Sequence, residues 1–330
     1  MHPDALSLDA ISLLLIWTAI VIYALAFVAY GADLAKRSQL SLERQDAARE
    51  LVGVGSGSGG RGTVRNGVPQ DAAPAEKPRL VMGRIGTSLT VLGFLFHLAG
   101  TVLRGVAAGR VPWSNMYEFA MTGTLLITAV YLGVLFWRDL RFLGTFMIGL
   151  VTVLMGGATL YHVDVVPLMD PLKSIWLVVH VFVASLATAF LALGFGLSVL
   201  QLLQARRERI AVEETEPKRS FLRTLPSSEA LEGLAYRFAI IGFIFWTFTL
   251  IAGSIWAQDA WGRYWGFDTK EVWTFIIWVL YAGYIHARAT RGWRGTRSAW
   301  LSIVGFVAVI FNFTIVNMFF EGLHAYSGLS

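Results

Sequence analysis

The chain has 330 residues, 55% of them hydrophobic and only 15% charged, with 27 Lys and Arg against 22 Asp and Glu. A water-soluble protein of this length needs far more charge to cover its surface, so the composition excludes a soluble globule and predicts an all-α polytopic membrane protein. The absence of Cys excludes disulfides, iron–sulfur ligation and thiol catalysis by this chain, leaving His, Met, Tyr or carboxylates to hold any metal.

A membrane-crossing helix needs about 20 apolar residues. Eight runs meet that need, at roughly 9–30, 85–107, 115–137, 142–161, 174–204, 234–257, 272–290 and 298–320. They are continuous rather than alternating, which predicts helices and not strands. The first run lacks a basic stretch ahead of it and has a basic loop behind it, so residues 1–37 are expected to stay in place as a transmembrane helix. Residues 38–83 contain Gly-Val-Gly-Ser-Gly-Ser-Gly-Gly-Arg-Gly and a Pro/Ala-rich tail, the composition of a flexible cytoplasmic linker. Residues 84–330 are expected to form a seven-helix core, with a solvated loop of mixed charge at 205–233.

All but five of the 27 Lys and Arg fall on one side of these spans, the exceptions being Arg104, Arg110, Lys173, Arg263 and Lys270. The positive-inside rule then places both termini and the loops at 108–114, 162–173 and 258–271 on the extracytoplasmic side of the cell membrane. The same topology accounts for the net charge of +5 without nucleic acid, for which no binding is expected.

Residues 256–273 lie in one of those outer loops and its flanks. They hold Trp256, Trp261, Trp265 and Trp273, with Tyr264, Phe267, Gly262, Gly266, Asp268, Lys270 and Glu271 interleaved. An aromatic belt at the membrane interface accounts for any single Trp. A belt does not call for two glycines and an Asp/Lys/Glu set between the rings, and so many flat faces suit a large flat ligand. Asp268 and Glu271 also suit the N-terminus of the helix that follows.

Histidines mark further candidates. His180, about one turn into the fifth span, and His324, after the eighth, bracket the Trp-rich stretch on the outer side. Two such imidazoles can hold an iron macrocycle between them, or snorkel to water. His97 and His286 lie inside spans, where an ionisable residue is either functional or bonded to a neighbouring helix. Counted along their helices, they differ in height by about 12 Å in a core of about 30 Å. They share one iron only if the macrocycle lies flat in the membrane; otherwise the ligand opposite His286 comes from another chain.

Trp261-Gly262-x-x-Trp265-x-x-Asp268-x-Lys270-Glu271-x-Trp273, followed by Tyr281, Tyr284 and His286, resembles the WWD signature of haem-handling proteins. Pro112-Trp-Ser114-Asn115-Met-Tyr117-Glu118 resembles the Pro-x-Ser-Asn-x-Tyr-Glu segment of the CcsA/ResC branch. The similarity runs from about residue 84 to the end, with Phe267 where a third Trp is common and Thr269 where Pro is common. The resemblance implies System II cytochrome c biogenesis. A ResB/CcsB-type membrane partner and this chain would carry haem b to the outer face as a cytochrome c synthase (haem lyase) complex. The haem vinyl groups would then be attached to the Cys-x-x-Cys-His thiols of apocytochrome c, kept reduced by thiol-reducing proteins. It maps the outer haem ligands to His180 and His324 and a membrane-embedded ligand to His286, with His97 as an alternative. Trp261, Trp265, Asp268 and Trp273 belong to the haem-binding signature, and Arg263 and Lys270 are candidates to pair with propionates or simply to anchor the interface. Two other readings remain: a haem-delivery WWD protein of the other bacterial maturation system, and a secondary transporter with an aromatic gate, although no inverted repeat is visible.

Overall fold

The computed structural model describes residues 7–55, 81–213, 221–290, 292–320 and 322–324. Regular structure among them is helical: α1 (Leu8–Gly55), α2 (Val81–Ala108), α3 (Met116–Leu135), α4 (Gly144–Thr159), α5 (Ile175–Glu213), α6 (Ser228–Trp261), α7 (Thr269–Thr290), α8 (Thr296–Phe313) and the short α9 (Ile315–Phe319). Seven segments are long and apolar enough to cross a membrane, one in each of α1 to α6 and the last over Thr296–Phe319. The eighth expected span is α7, a helix of 22 residues in which Trp, Tyr, His286 and Arg288 dilute the aliphatic content. Residues 38–55, expected as the start of the linker, instead continue α1. Their Leu, Glu, Arg and Ala favour helix, and glycine enters only at Gly53. Residues 56–80, the rest of that linker, lie outside the described set.

Burial is inverted relative to a soluble protein. Leu14, Trp17, Val21, Leu25 and Val28 are exposed along α1, while Ser12, Asp33, His97, Arg104, Glu118 and Thr128 are buried. Apolar side chains on the outside and paired polar ones inside are what a lipid solvent selects.

α1 and α2 pack along a close seam. On α2 the buried positions are Gly83, Gly86, Thr90, Gly93, His97, Gly100 and Arg104, an alternating three- and four-residue step. Facing them on α1 are Ser12, Ile16, Ala19, Tyr23, Ala26, Tyr30 and Asp33, with the same step. That period gives a continuous coiled-coil seam, and the glycines admit the large rings opposite. A Cβ on Gly93 would sit 2.8 Å from the Tyr23 ring, and one on Gly86 would sit 2.9 Å from Tyr30. Beyond this pair, α1 packs on α4, α2 on α3, and α3 on α5. α5 in turn pairs with α6 and α8, and α7 closes the bundle against α6 and α8.

A largely buried ionic clasp locks one end of this arrangement, at the start of α1 and α3. Arg104 is fully buried and donates to Asp9 at 2.5 Å, to Glu118 at 3.0 Å and to the Val163 carbonyl at 2.8 Å. Arg110 donates to Glu118 at 2.6 Å and to the Ser114 hydroxyl at 2.6 Å. The Pro-x-Ser-Asn-x-Tyr-Glu segment thus has a structural reason. Ser114 and Glu118 belong to the clasp, Asn115 caps α3 by accepting from the Glu118 N–H at 2.9 Å, and Tyr117 lies under Arg104 and against His162. Two cations and two carboxylates join α1, α2, α3 and the segment after α4.

Removing one member leaves a buried charge uncompensated, which costs about 3–5 kcal/mol. Glu118→Ala is therefore expected to lower the melting temperature of the detergent-solubilised protein strongly, whereas Glu43→Ala, on an exposed position, leaves it unchanged. Equal melting of the two variants would contradict the clasp.

Candidate functional site

The start of α5, the end of α6, the start of α7 and α9 converge on two cavities. The larger, about 180 Å³, runs inward between α3, α5, α6 and α8; the smaller, about 60 Å³, lies between α6 and α7. His180, His324, Trp256, Thr249, Lys270 and Thr274 line both. The two histidines thus share one site although 144 positions separate them in the chain.

Each imidazole is fixed through one nitrogen. His180 Nδ1 donates to the Thr249 carbonyl at 3.0 Å. A carbonyl only accepts, so the proton sits on Nδ1 and the Nε2 lone pair is free. His324 Nδ1 donates to Asp268 Oδ2 at 2.7 Å, and Asp268 Oδ1 accepts the Leu323 N–H at 3.0 Å. The hydrogen bond from His324 holds the Asp268 carboxyl below its usual range, so Asp268 is an ionised acceptor and Nε2 of His324 is free as well. Burial lowers the His324 basicity, with Asp268 opposing, which favours the neutral imidazole that a metal requires. Anchoring of the distal ring nitrogen by a carbonyl or carboxylate is the usual support of a metal-binding His.

The Trp-rich segment wraps this pair. Trp256 stacks on His180 at 5.8 Å, meets His324 edge-on at 5.4 Å, and is pinned by its indole N–H to the Pro171 carbonyl at 2.8 Å. Trp261 lies 5.0 Å from His324. Gly262 ends α6 in the left-handed region, its N–H donating to the Gln258 carbonyl at 2.9 Å, as a helix C-cap requires. Phe267 also has a positive φ, 58°, and its ring is exposed; a left-handed Phe is strained backbone of the kind that clusters at functional sites. Glu271 reaches back to the Gly266 N–H at 2.8 Å and the Asp268 N–H at 3.1 Å, closing the turn at the start of α7.

Of the residues expected at the site, His180, His324, Trp261, Trp265, Asp268 and Lys270 gather here. Trp265 lines the smaller cavity. Arg263 pairs with Glu271 at 3.4 Å and lies over Trp261. Trp273 packs on Phe311 at 4.5 Å, outside both cavities. His97 lies elsewhere, in the α1–α2 seam. Its Nε2 donates to the Met121 carbonyl at 2.8 Å, and its Nδ1 faces the Tyr23 hydroxyl at 3.4 Å, so both nitrogens are engaged. His286 is exposed on the outward face of α7, along with Phe275, Val279 and Gly283. Trp256, Thr249 and Asn115 were not among the expected site residues. Trp256 was visible as part of the aromatic run, whereas the Thr249 carbonyl carries no sequence signal at all.

Comparison with known proteins now bears on this geometry. The profile of the Cytochrome C assembly protein family matches residues 113–324. The chain belongs to that family. It is 34% identical over 262 residues to the cytochrome c biogenesis protein CcsA of Guillardia theta, covering 74% of this chain and 86% of the relative. It is 32% identical over 294 residues to the CcsA of Synechococcus sp. (strain JA-3-3Ab), covering 74% and 84%. Together with the WWD and Pro-x-Ser-Asn-x-Tyr-Glu segments, these matches place it in the CcsA/ResC-type branch. Its fold is shared with a solved structure of the cytochrome c haem lyase CcmF, at a TM-score of 0.62 and 14% identity. The match covers 95% of this chain, which spans about half the length of that structure, 48%.

A Cβ on Gly253 would lie 2.7 Å from the His180 ring, while one on Gly233, in the same helix, meets nothing within 4 Å. Gly253→Ala is therefore expected to push His180 off the Thr249 carbonyl and Gly233→Ala to leave it in place. The check is the Nδ1 resonance of His180 in protein labelled with ¹⁵N-histidine. It should move in the first variant only, and an unmoved signal would contradict the packing described.

Proposed function

We propose that this protein serves cytochrome c maturation by binding haem b as substrate between His180 and His324 at the outer membrane face. There it presents the vinyl groups to the Cys-x-x-Cys-His thiols of apocytochrome c. In this reading it is a multi-pass plasma-membrane protein with both termini and the WWD segment on the extracytoplasmic side. It acts as one subunit of a cytochrome c synthase with a ResB/CcsB-type partner. The observation that carries the proposal is the shared orientation of the two imidazoles: each gives Nδ1 to an acceptor that cannot donate, leaving two Nε2 lone pairs at one cavity. The family membership and the similarity to CcsA proteins support the pathway.

The chemistry asks little of this chain beyond placement. Addition of a thiol across a vinyl group breaks one S–H and one carbon–carbon π bond and forms one C–S and one C–H bond, with no net oxidation. Reduced iron and reduced thiols are preconditions of that step, and thiol-reducing partner proteins supply the second. The chain, lacking Cys, contributes axial ligation, aromatic walls at Trp261 and Trp265, and exclusion of competing thiols. Trp273 serves by holding α7 on α8. His286, facing out of the bundle, is placed to ligate a second haem at the seam with the partner, whose own side chain supplies the opposite ligand. His97, with both nitrogens engaged, serves the α1–α2 seam.

The test is the absorption spectrum of the purified protein, reduced with dithionite. A b-type spectrum is expected, reduced by at least half in a His180→Ala/His324→Ala variant, with any residue lost on His286→Ala. Wild-type protein purified with its partner and free of haem absorbance would overturn the proposal and favour the transporter reading.

A further inference from the structure

The larger cavity holds polar groups that the ligation scheme does not use. Lys270 lines both cavities, and its ammonium has one hydrogen-bond partner among the described residues, the Asn317 side-chain oxygen. The carboxylates near it are committed elsewhere. Asp268 serves His324, the Leu323 N–H and the Lys270 backbone N–H, and Glu271 serves Arg263 and the Gly266 and Asp268 N–H groups. Arg263, the other candidate cation, has Glu271 as partner. Lys270 is thus a half-buried cation whose direct contact is a neutral amide.

Asn115 lines the same cavity. Lys270 bonds Asn317, Asn317 donates to the Met116 sulfur at 3.8 Å, and Met116 follows Asn115 in the chain. The side chain of Asn115 is held by the α3 cap, since its Oδ1 accepts the Glu118 N–H. Its orientation is therefore set, and Nδ2 is left as a donor with no partner on a residue only 7% exposed. A buried donor without an acceptor is costly, so it marks a place where a ligand supplies one. The remaining lining is mostly apolar, with Phe119, Leu177, Val181 and Ile310 among it, and includes the further polar side chains Ser185, Thr188 and Asn312. An ammonium and an unpartnered amide donor lining one mostly apolar chamber describe a site for a carboxylate carried on a flat or bulky hydrocarbon body.

We propose that Lys270 and Asn115 form a carboxylate-binding wall that receives one propionate of the haem held by His180 and His324. This rests on the haem reading above and extends it to orientation. With a propionate fixed against Lys270 of α7 and Asn115 at the start of α3, the vinyl-bearing edge is turned away from them, so these residues decide which edge meets the thiols. Lys270 and Asn115 are positioning residues in this scheme, since neither touches the reacting carbons.

The experiment titrates the detergent-solubilised full chain with haem and, separately, with haem dimethyl ester, whose iron and vinyl groups are unchanged but whose carboxylates are esterified. Wild type is expected to bind the free acid about tenfold or more tightly than the ester. Lys270→Met should bring the two affinities together by weakening the acid alone. Asn115→Asp keeps the helix cap but replaces the donor with a negative charge, and should weaken the acid at least as much. A preference that survives both variants, or a loss that falls equally on acid and ester, would overturn the proposal and leave Lys270 a structural residue. Wild-type protein that binds neither form, or that binds equally after loss of His180 and His324, would overturn the haem reading and this extension together.

Discussion

An imidazole becomes a directed metal ligand when its other nitrogen is tied down. That constraint organises the half of this protein that holds the Trp-rich segment. His180 needs the Thr249 carbonyl beside it, which requires α5 and α6 to approach closely, and Gly253 has no side chain because the ring occupies that space. His324 needs Asp268, which requires the turn between α6 and α7 to bring a carboxylate under the C-terminal segment. The left-handed Gly262 and Phe267, the back-reaching Glu271 and the close approach of Gly322 to Asp268 all serve that turn. The WWD segment is then less a row of stacked rings than a frame. It holds one carboxylate and one indole, Trp256, against two imidazoles from distant parts of the chain.

The first four helices bear on the same site from the other side. Arg104 and Glu118 bury two charges, compensated by each other and by half-buried Asp9 and Arg110, and their product is a fixed start for α3. Asn115 caps that start and lines the larger cavity. The close α1–α2 seam supplies the rigid support from which Arg104 projects. A clasp of this kind stabilises modestly compared with apolar packing, but it specifies one register of three helices and one loop. The chamber thus has a soft, aromatic wall from α5 and α6 and a polar wall tied to the clasp.

Much of this was legible from residues alone, for physical reasons. Long apolar runs can only be helices in lipid, and that period is written plainly in α2 to α6. His180 and His324 bracket the Trp-rich stretch in the sequence, but their placement alone also fitted two interfacial histidines, and the pairing came from the family resemblance. What could not be read depends on backbone atoms and on distances between remote helices. The Thr249 carbonyl is the same atom in any residue, and the free Nδ2 of Asn115 appears only once Oδ1 is known to cap α3. Both His97 and His286 lie within spans in the sequence, with His286 favoured as a ligand by the family resemblance and His97 kept as the alternative. The fold separates them, giving His97 two hydrogen-bond partners and turning His286 outward. The extension of α1 to Gly55 was hidden because the glycine-rich composition after it dominated a stretch whose first residues favour helix.

The central claim is geometric: iron held between the two free Nε2 atoms, with the macrocycle carried by the WWD frame. A cryo-electron microscopy map of the haem-loaded protein with its membrane partner tests it most directly. The account predicts density for iron between His180 and His324, with Nδ1 of each still on Thr249 and Asp268. Haem bound in this chamber with its iron on any other side chain, or with either Nδ1 contact broken, would contradict it.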